Sequence, residues 1–165
     1  MQQTKQASMK PSYKNSGENI VEDYFHEFLS FHPLFASYIG YREYDGNLVN
    51  SYSKDYVAKI QYFYQKYLKQ LEACKNKTLY HRVLEYNLKN NLQYYTFPFF
   101  TMALSMNGII FQTLHSMVCN DVVPLRSKHD LENLIRRYEQ AILIVRTQRG
   151  VLEEGISKKI TVPKL

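Results

Sequence analysis

The sequence has no tryptophan, and only two cysteines, five prolines and six glycines among 165 residues. Two cysteines cannot build a disulfide framework, and a chain of this length makes its own core without staples. So few glycines and prolines exclude an all-β protein built on many tight turns, and equally a low-complexity linker. No apolar run reaches the ~18–20 residues of a membrane span. The longest candidate, residues 97–111, is broken by Pro98, Ser105, Asn107 and Gly108. A basic start followed by an apolar stretch, the mark of a signal peptide, is also missing. These absences lead to the expectation of a single soluble, cytoplasmic domain without membrane contact. Cys74 and Cys119 stand too far apart for CxxC redox chemistry or a zinc knuckle, and are expected to be reduced and structural.

What is present is apolar and aromatic: 45% of residues are hydrophobic, with 15 tyrosines and nine phenylalanines. That composition excludes a disordered chain. Residues 1–17 are the exception, a polar stretch read as a disordered tail ahead of a helical domain over 18–165. Helical spacing is clear in four places. Residues 18–31 place Val21, Tyr24, Phe25, Phe28 and Phe31 three or four apart, until His32-Pro33 interrupts. A short apolar piece, 34–39, stops at Gly40, and 41–52 reads as a loop. Ser53 caps a second helix whose Val57, Ile60, Tyr64, Tyr67 and Leu71 form a seam for a partner, with Lys59, Lys66 and Lys69 left to solvent. A third helix, 79–95, aligns Leu84, Leu88 and Leu92. The short connection around Asn76 predicts an antiparallel hairpin of the two.

A fourth helix opens with the capping-box pattern of Ser127 and Asp130. Its apolar residues Leu131, Ile135, Tyr138, Ile142, Val145 and Leu152 predict the buried seam, with Arg149 interrupting it and Gly150 and Gly155 loosening its end. Between Lys89 and Asp121 no Lys, Arg, Asp or Glu occurs. This uncharged segment, 90–120, is expected to be either a central layer or one side of a contact, with a turn at Asn107-Gly108 and a short helix over 111–119. The fold class expected is all-α, with about four to six helices.

The net charge of +6 and pI near 9.2 raise the question of nucleic acid. Phosphate binding needs Lys and Arg gathered on one face. Here acids are interleaved with bases, and residues 20–50 set Glu22, Asp23, Glu27, Glu43 and Asp45 against Arg42 alone. Nucleic-acid binding is therefore disfavoured.

His26-Glu27 is the one pair with a catalytic look. A zincin needs a second histidine four positions on, and position 30 is Ser30. His32, six on from His26, points about 240° around the helix. His81, His115 and His129 are isolated in sequence. Asp121 reads as a turn cap. There is no G-x-S-x-G elbow, phosphate-binding glycine loop or dinucleotide fingerprint. The residues alone support no catalytic, cofactor-binding or metal-binding site.

Several stretches taken in order carry a resemblance. They are His32-Pro33-Leu34-Phe35-Ala36-Ser37-Tyr38-Ile39-Gly40 followed by Tyr44-Asp45; Leu84-Glu85-Tyr86-Asn87-Leu88 and its continuation to Leu92; Pro98; and Met106-Asn107-Gly108. Then come Asp130-Leu131 with Arg136 or Arg137, Arg149-Gly150-Val151, Glu154-Gly155-Ile156 and Val162-Pro163-Lys164. Together they resemble the amino-terminal part of the domain of unknown function 885 family, whose members are zinc-metallopeptidase-like on a mainly helical fold. Ser37 stands where that family more often has threonine.

The resemblance implies that the metal-binding His-Glu motif belongs to a carboxyl-terminal half absent from this chain. That family motif also separates its histidines by six, with a Pro-Gly insertion. Residues 28–31 lack the insertion and align with the family's first helix, so no metal role passes to His26, Glu27 or His32. The expectation is a truncated, non-catalytic scaffold or cleft wall, with zinc only in a complete family member. Its partner would be the carboxyl-terminal half, or a second copy through segment 90–120. An independent helical interaction module is the alternative.

Overall fold

The computed structural model describes residues 18–97, 115 and 125–160, and the chain is all-α. The helices are α1 (Glu18–Phe31), α2 (Pro33–Tyr38), α3 (Lys54–Ala73), α4 (Leu79–Tyr94) and α5 (Lys128–Ser157), with a 3-10 turn at Arg42–Tyr44. No strand occurs among the described residues. The tail 1–17, the turn at Asn107-Gly108, the short helix over 111–119, Cys119, Asp121 and Val162-Pro163-Lys164 lie outside them.

Local chemistry accounts for the boundaries. Pro33 is the first residue of α2, where its missing N–H costs nothing and its fixed φ suits a helix start. Gly40, at φ +97°, ends that segment in a conformation that a side chain would oppose. Ser53 Oγ accepts from the Tyr56 N–H at 3.1 Å to start α3. Thr78 and His81 form a reciprocal capping box at α4, and Ser127 and Asp130 another at α5.

α3 and α4 form the expected hairpin, and α1 lies across both. Ile60, Phe63, Tyr64, Tyr67 and Leu71 of α3 and Leu84 and Leu88 of α4 make the buried core. Tyr24, Phe28 and Phe31 of α1 pack on it. Aromatic rings dominate the contact: Tyr24 stacks on Phe63 with centroids 5.1 Å apart and meets Tyr67 edge-on at 5.4 Å. Burial pushes the Tyr24 phenol up to about 12 and raises Tyr56 and Tyr64 as well, so all three stay neutral.

The α3 seam falls where its spacing places it from Ile60 to Leu71, with Phe63 added, whereas Val57 is only half-buried and lies outside the core. Lys66 departs from the expected solvent face. Its Nζ lies 2.6 Å from Glu27 Oε2, to which the Tyr67 hydroxyl also donates at 2.9 Å, so it ties α3 to α1. At the base of the hairpin, Glu85 sits between Lys77 Nζ at 2.6 Å and Lys89 Nζ at 2.7 Å. Their hydrogen bonds hold its carboxyl at about 2, against an ordinary 4.5.

Truncating Ile60 to Ala is expected to cost ~2–5 kcal/mol in urea unfolding, since it empties a closed core site. Lys66→Ala removes a half-exposed ion pair and should cost no more than about 1 kcal/mol. Equal losses would show that the α3 register is wrong. Glu85 gives a pH prediction. A carboxyl whose pKa is depressed on folding stabilises the fold above its unfolded value and ceases to do so as pH falls through its folded value. Stability should therefore fall between pH 4.5 and about 2, and Glu85→Gln should flatten that part of the profile. Identical slopes for the two proteins would refute the assignment.

Candidate interaction surface on the last helix

The loop between α2 and α3 leaves backbone groups without helical partners, and buried ones must find partners elsewhere. α5 supplies them. Its buried face is Asp130, Asn133, Arg137, Ala141, Ile144, Gln148, Val151 and Gly155, three or four apart throughout. This corrects the expected seam. Leu131, Ile135, Tyr138, Ile142 and Val145 face outward, with Ile135 51% and Ile142 55% exposed. Only Leu152 of that set is half-buried. Arg149, expected to interrupt a buried seam, is exposed and pairs with Glu153 at 2.8 Å. Gly150 lies inside the helix, and Gly155 in its last turn.

The polar face wins because it satisfies more than apolar side chains would. Arg137 is fully buried. Its Nε donates to Asn47 O at 3.0 Å, and its Nη2 to Ser37 Oγ at 2.6 Å and Tyr44 O at 3.0 Å. Desolvation lowers the guanidinium pKa while the Asp45 carboxylate opposes the shift. Arginine stays charged through such a perturbation. Gln140 accepts from the Leu48 N–H at 2.7 Å and donates to Gly46 O at 3.0 Å. Asn50 Nδ2 donates to Thr147 Oγ1 at 2.8 Å.

Arg42 joins the loop to the start of α5. Its Nε meets Asp45 Oδ2 and its Nη2 meets Asp130 Oδ1, both at 2.8 Å. Asp130 also accepts from the Arg126 and Ser127 N–H groups, each at 3.0 Å. These donors and Arg42 hold its carboxyl below the usual range, the Arg126 hydrogen bond most of all. A Cβ at Gly46 would come within 2.7 Å of Arg136 Nη1, the movable end of an exposed side chain, and 2.9 Å of Oδ1 of the buried Asn133, which would have to give way.

With its polar side committed inward, α5 presents an apolar stripe outward. From Leu131 to Val145 the stripe repeats at steps of four, three, four and three, the spacing of a seam that packs on another helix, and Arg149 ends it. At 1.5 Å per residue it is roughly 21 Å long. α4 likewise exposes Leu79, Val83 and Tyr86, again three or four apart.

The titratable residues singled out by sequence are not brought together. His26 turns to Glu22, with Nε2 3.3 Å from the carboxylate. Glu27 is engaged by Lys66 and Tyr67. His32 lies against the Phe28 ring at 4.0 Å, and burial lowers its pKa to about 4, so it is neutral at pH 7. His81 is buried in the α4 capping box, its Nδ1 accepting from the Thr78 N–H at 3.0 Å. His115 and His129 are exposed. The Cys74 thiol donates to Asn76 O at 3.6 Å. Among the described residues no three His, Cys, Asp or Glu side chains converge in a way that could hold a metal ion. Nor is any described helix long and apolar enough to cross a membrane.

Sequence reasoning missed Arg42, Arg137 and Gln140 as the residues that set the direction of α5. Asp130 and Arg137 did stand among the motif residues. The available signal was a second stripe, polar rather than apolar, with the same spacing on the same helix. No protein-family model, curated protein or solved structure matches the chain.

Arg137→Met should destabilise by roughly 3 kcal/mol or more, because it removes three charge-assisted hydrogen bonds, one of them to the buried Ser37 hydroxyl. Arg137→Lys should recover only part of this, since an ammonium lacks the planar fork. Urea denaturation measures both. A loss below about 1 kcal/mol would show that water serves those acceptors instead.

Proposed function

We propose that this chain is a non-catalytic helical scaffold that seats a helical partner on the outward stripe of α5. One observation carries the reading: the exposed apolar stripe of Leu131, Ile135, Tyr138, Ile142 and Val145. Contiguous apolar surface of this kind commonly marks an interaction site. The sequence resemblance to the amino-terminal part of the domain of unknown function 885 family suggests the partner's nature. In that family the metal-bearing part is a carboxyl-terminal helical half, and a half packed on this stripe would make the chain a wall of a substrate cleft. Chemistry would then reside in the partner.

A second reading, self-association, has an observation of its own. In an antiparallel pair of α5 helices, Ile142 would oppose Val145 of the other copy and Ile135 would oppose Leu152. Glu139 and Arg146, both exposed, flank the stripe and would then lie across from one another with opposite charge. The uncharged segment 90–120 is the other surface proposed for a partner. Only residues 90–97 and 115 of it are described. The nucleic-acid reading gains little support, because Lys59, Lys66, Lys77, Lys89 and Arg149 each pair with a carboxylate of the same chain.

The double variant Ile135→Glu, Ile142→Glu tests the scaffold reading. An exposed seat predicts a change in unfolding free energy of about 0.5 kcal/mol or less per site, together with reduced binding of an apolar fluorescent dye. A loss of several kcal/mol would mean that the stripe belongs to the chain's own core, and the reading would fail. Light scattering separates the occupants. A dimer that the double variant dissociates favours a second copy, whereas a monomer throughout favours a separate partner. Peptidase activity of the purified chain that depends on zinc and disappears with chelator would overturn the non-catalytic assignment.

A further inference from the structure

The hairpin core and the smaller cluster of Tyr52, Ile144 and Val151 do not close on each other completely. Between them lies a cavity of about 430 Å³. It reaches from the α1–α2 junction at Phe31 and Pro33, past the start of α3 at Val57, to Ile144 on the inward face of α5. One water needs only about 10–15 Å³ on the same measure, so the cavity is far too large to be a single-water site. Its size falls in the range of small-molecule pockets. Because Ile144 belongs to the inward face, the cavity is separate from the outward stripe.

We infer that this cavity binds a small, neutral, flat aromatic molecule carrying one hydroxyl group. The shape preference comes from the rings of Phe31, Tyr52, Tyr56, Tyr94 and Tyr95, which line the cavity and offer π-faces. Neutrality follows from the rest of the lining. Among the described residues it contains no Asp, Glu, Lys or Arg, so an ionised ligand would lose its hydration without gaining a counter-charge.

The hydroxyl follows from two polar atoms of lining residues. Tyr52 is 6% exposed, and its hydroxyl is buried without a hydrogen-bond partner. His32 Nε2 is buried and unpartnered as well. Buried polar atoms in this state are uncommon and call for a guest or a held water. Among simple groups a hydroxyl suits both, because it donates and accepts through one oxygen. It can accept from Tyr52 and serve His32 in either tautomer. Neither atom is open to the cavity, so the guest reaches each of them only when its side chain turns inward.

The experiment titrates the full chain with naphthol, naphthalene and naphthoate, followed by calorimetry. Naphthol should bind saturably at one site, about tenfold more tightly than naphthalene, the worth of one net hydrogen bond. Naphthoate should bind more weakly than either. Tyr52→Phe keeps the ring and removes the hydroxyl, so it should erase the preference for naphthol while leaving naphthalene binding unchanged. Val57→Phe should weaken all binding by filling the space. Circular dichroism and the unfolding midpoint establish that both variants fold. Were Val57→Phe to unfold the chain, Tyr52→Phe alone would decide. Equal affinity for naphthol and naphthalene in the unaltered chain overturns the inference. So does a preference that survives Tyr52→Phe, naphthoate binding as tightly as naphthol, or the lack of any saturable binding.

Discussion

A single buried guanidinium organises half of this molecule. Arg137 sends its donors to Asn47, Tyr44 and Ser37, and thereby fixes both the path of the loop and the angular setting of α5. Its Nη1 is buried without a partner, so the bonds from Nε and Nη2 alone offset the desolvation of the charge, and the loop and the helix are each shaped by the other's needs. Buried Asp45 and half-exposed Arg42 extend the arrangement outward, and Asp130 closes it at the first turn of α5. The arginine is less an ornament of the core than the reason this face of α5 is the inner one. Ser37 takes part through its hydroxyl, a group that a threonine would also provide.

The two halves of the fold therefore cohere by different physics. α1, α3 and α4 are held by aromatic and aliphatic burial, which is non-directional and tolerates exchange of shape for shape. The loop and α5 are held by directional bonds, which tolerate little. This division explains how much could be read in advance. Spacing alone located α1, α3, α4, the hairpin, the Ser53 cap and the Ser127–Asp130 box, because those features depend on near neighbours in the chain, while α2 read only as a short apolar piece. It also picked the wrong face of α5. The rule that the apolar stripe faces inward presumes that the interior asks for apolar groups. Next to a loop rich in free carbonyls, the interior asked for donors.

The candidate site was legible only in outline. The residues of the stripe were all identified by their rhythm, whereas the side they occupy depended on Arg137, Gln140 and Thr147 meeting atoms some ninety to one hundred positions away. No local pattern encodes such a meeting. The cavity was equally invisible, because it is a mismatch between two clusters rather than a property of either. Conversely, the His26–Glu27 pair, conspicuous in sequence, is absorbed into ordinary surface and inter-helix contacts. Basic residues followed the same course: many are matched with acids on their own or a neighbouring helix, which leaves the net charge as a residue of local pairing rather than a field for one class of ligand.

The distance along the chain between Arg137 and its acceptors has a kinetic meaning. Contacts among α1, α3 and α4 join segments that follow one another closely, and such contacts form early because little loop entropy opposes them. Ser37 is one hundred positions ahead of the arginine that engages it. During synthesis the hairpin can assemble while the loop keeps its carbonyls in water, since their donor does not yet exist. Docking of α5 is the contact that closes the longest stretch of chain and so meets the largest loop entropy. Until α5 docks, its two faces, one polar and one greasy, have not been told apart by the rest of the molecule.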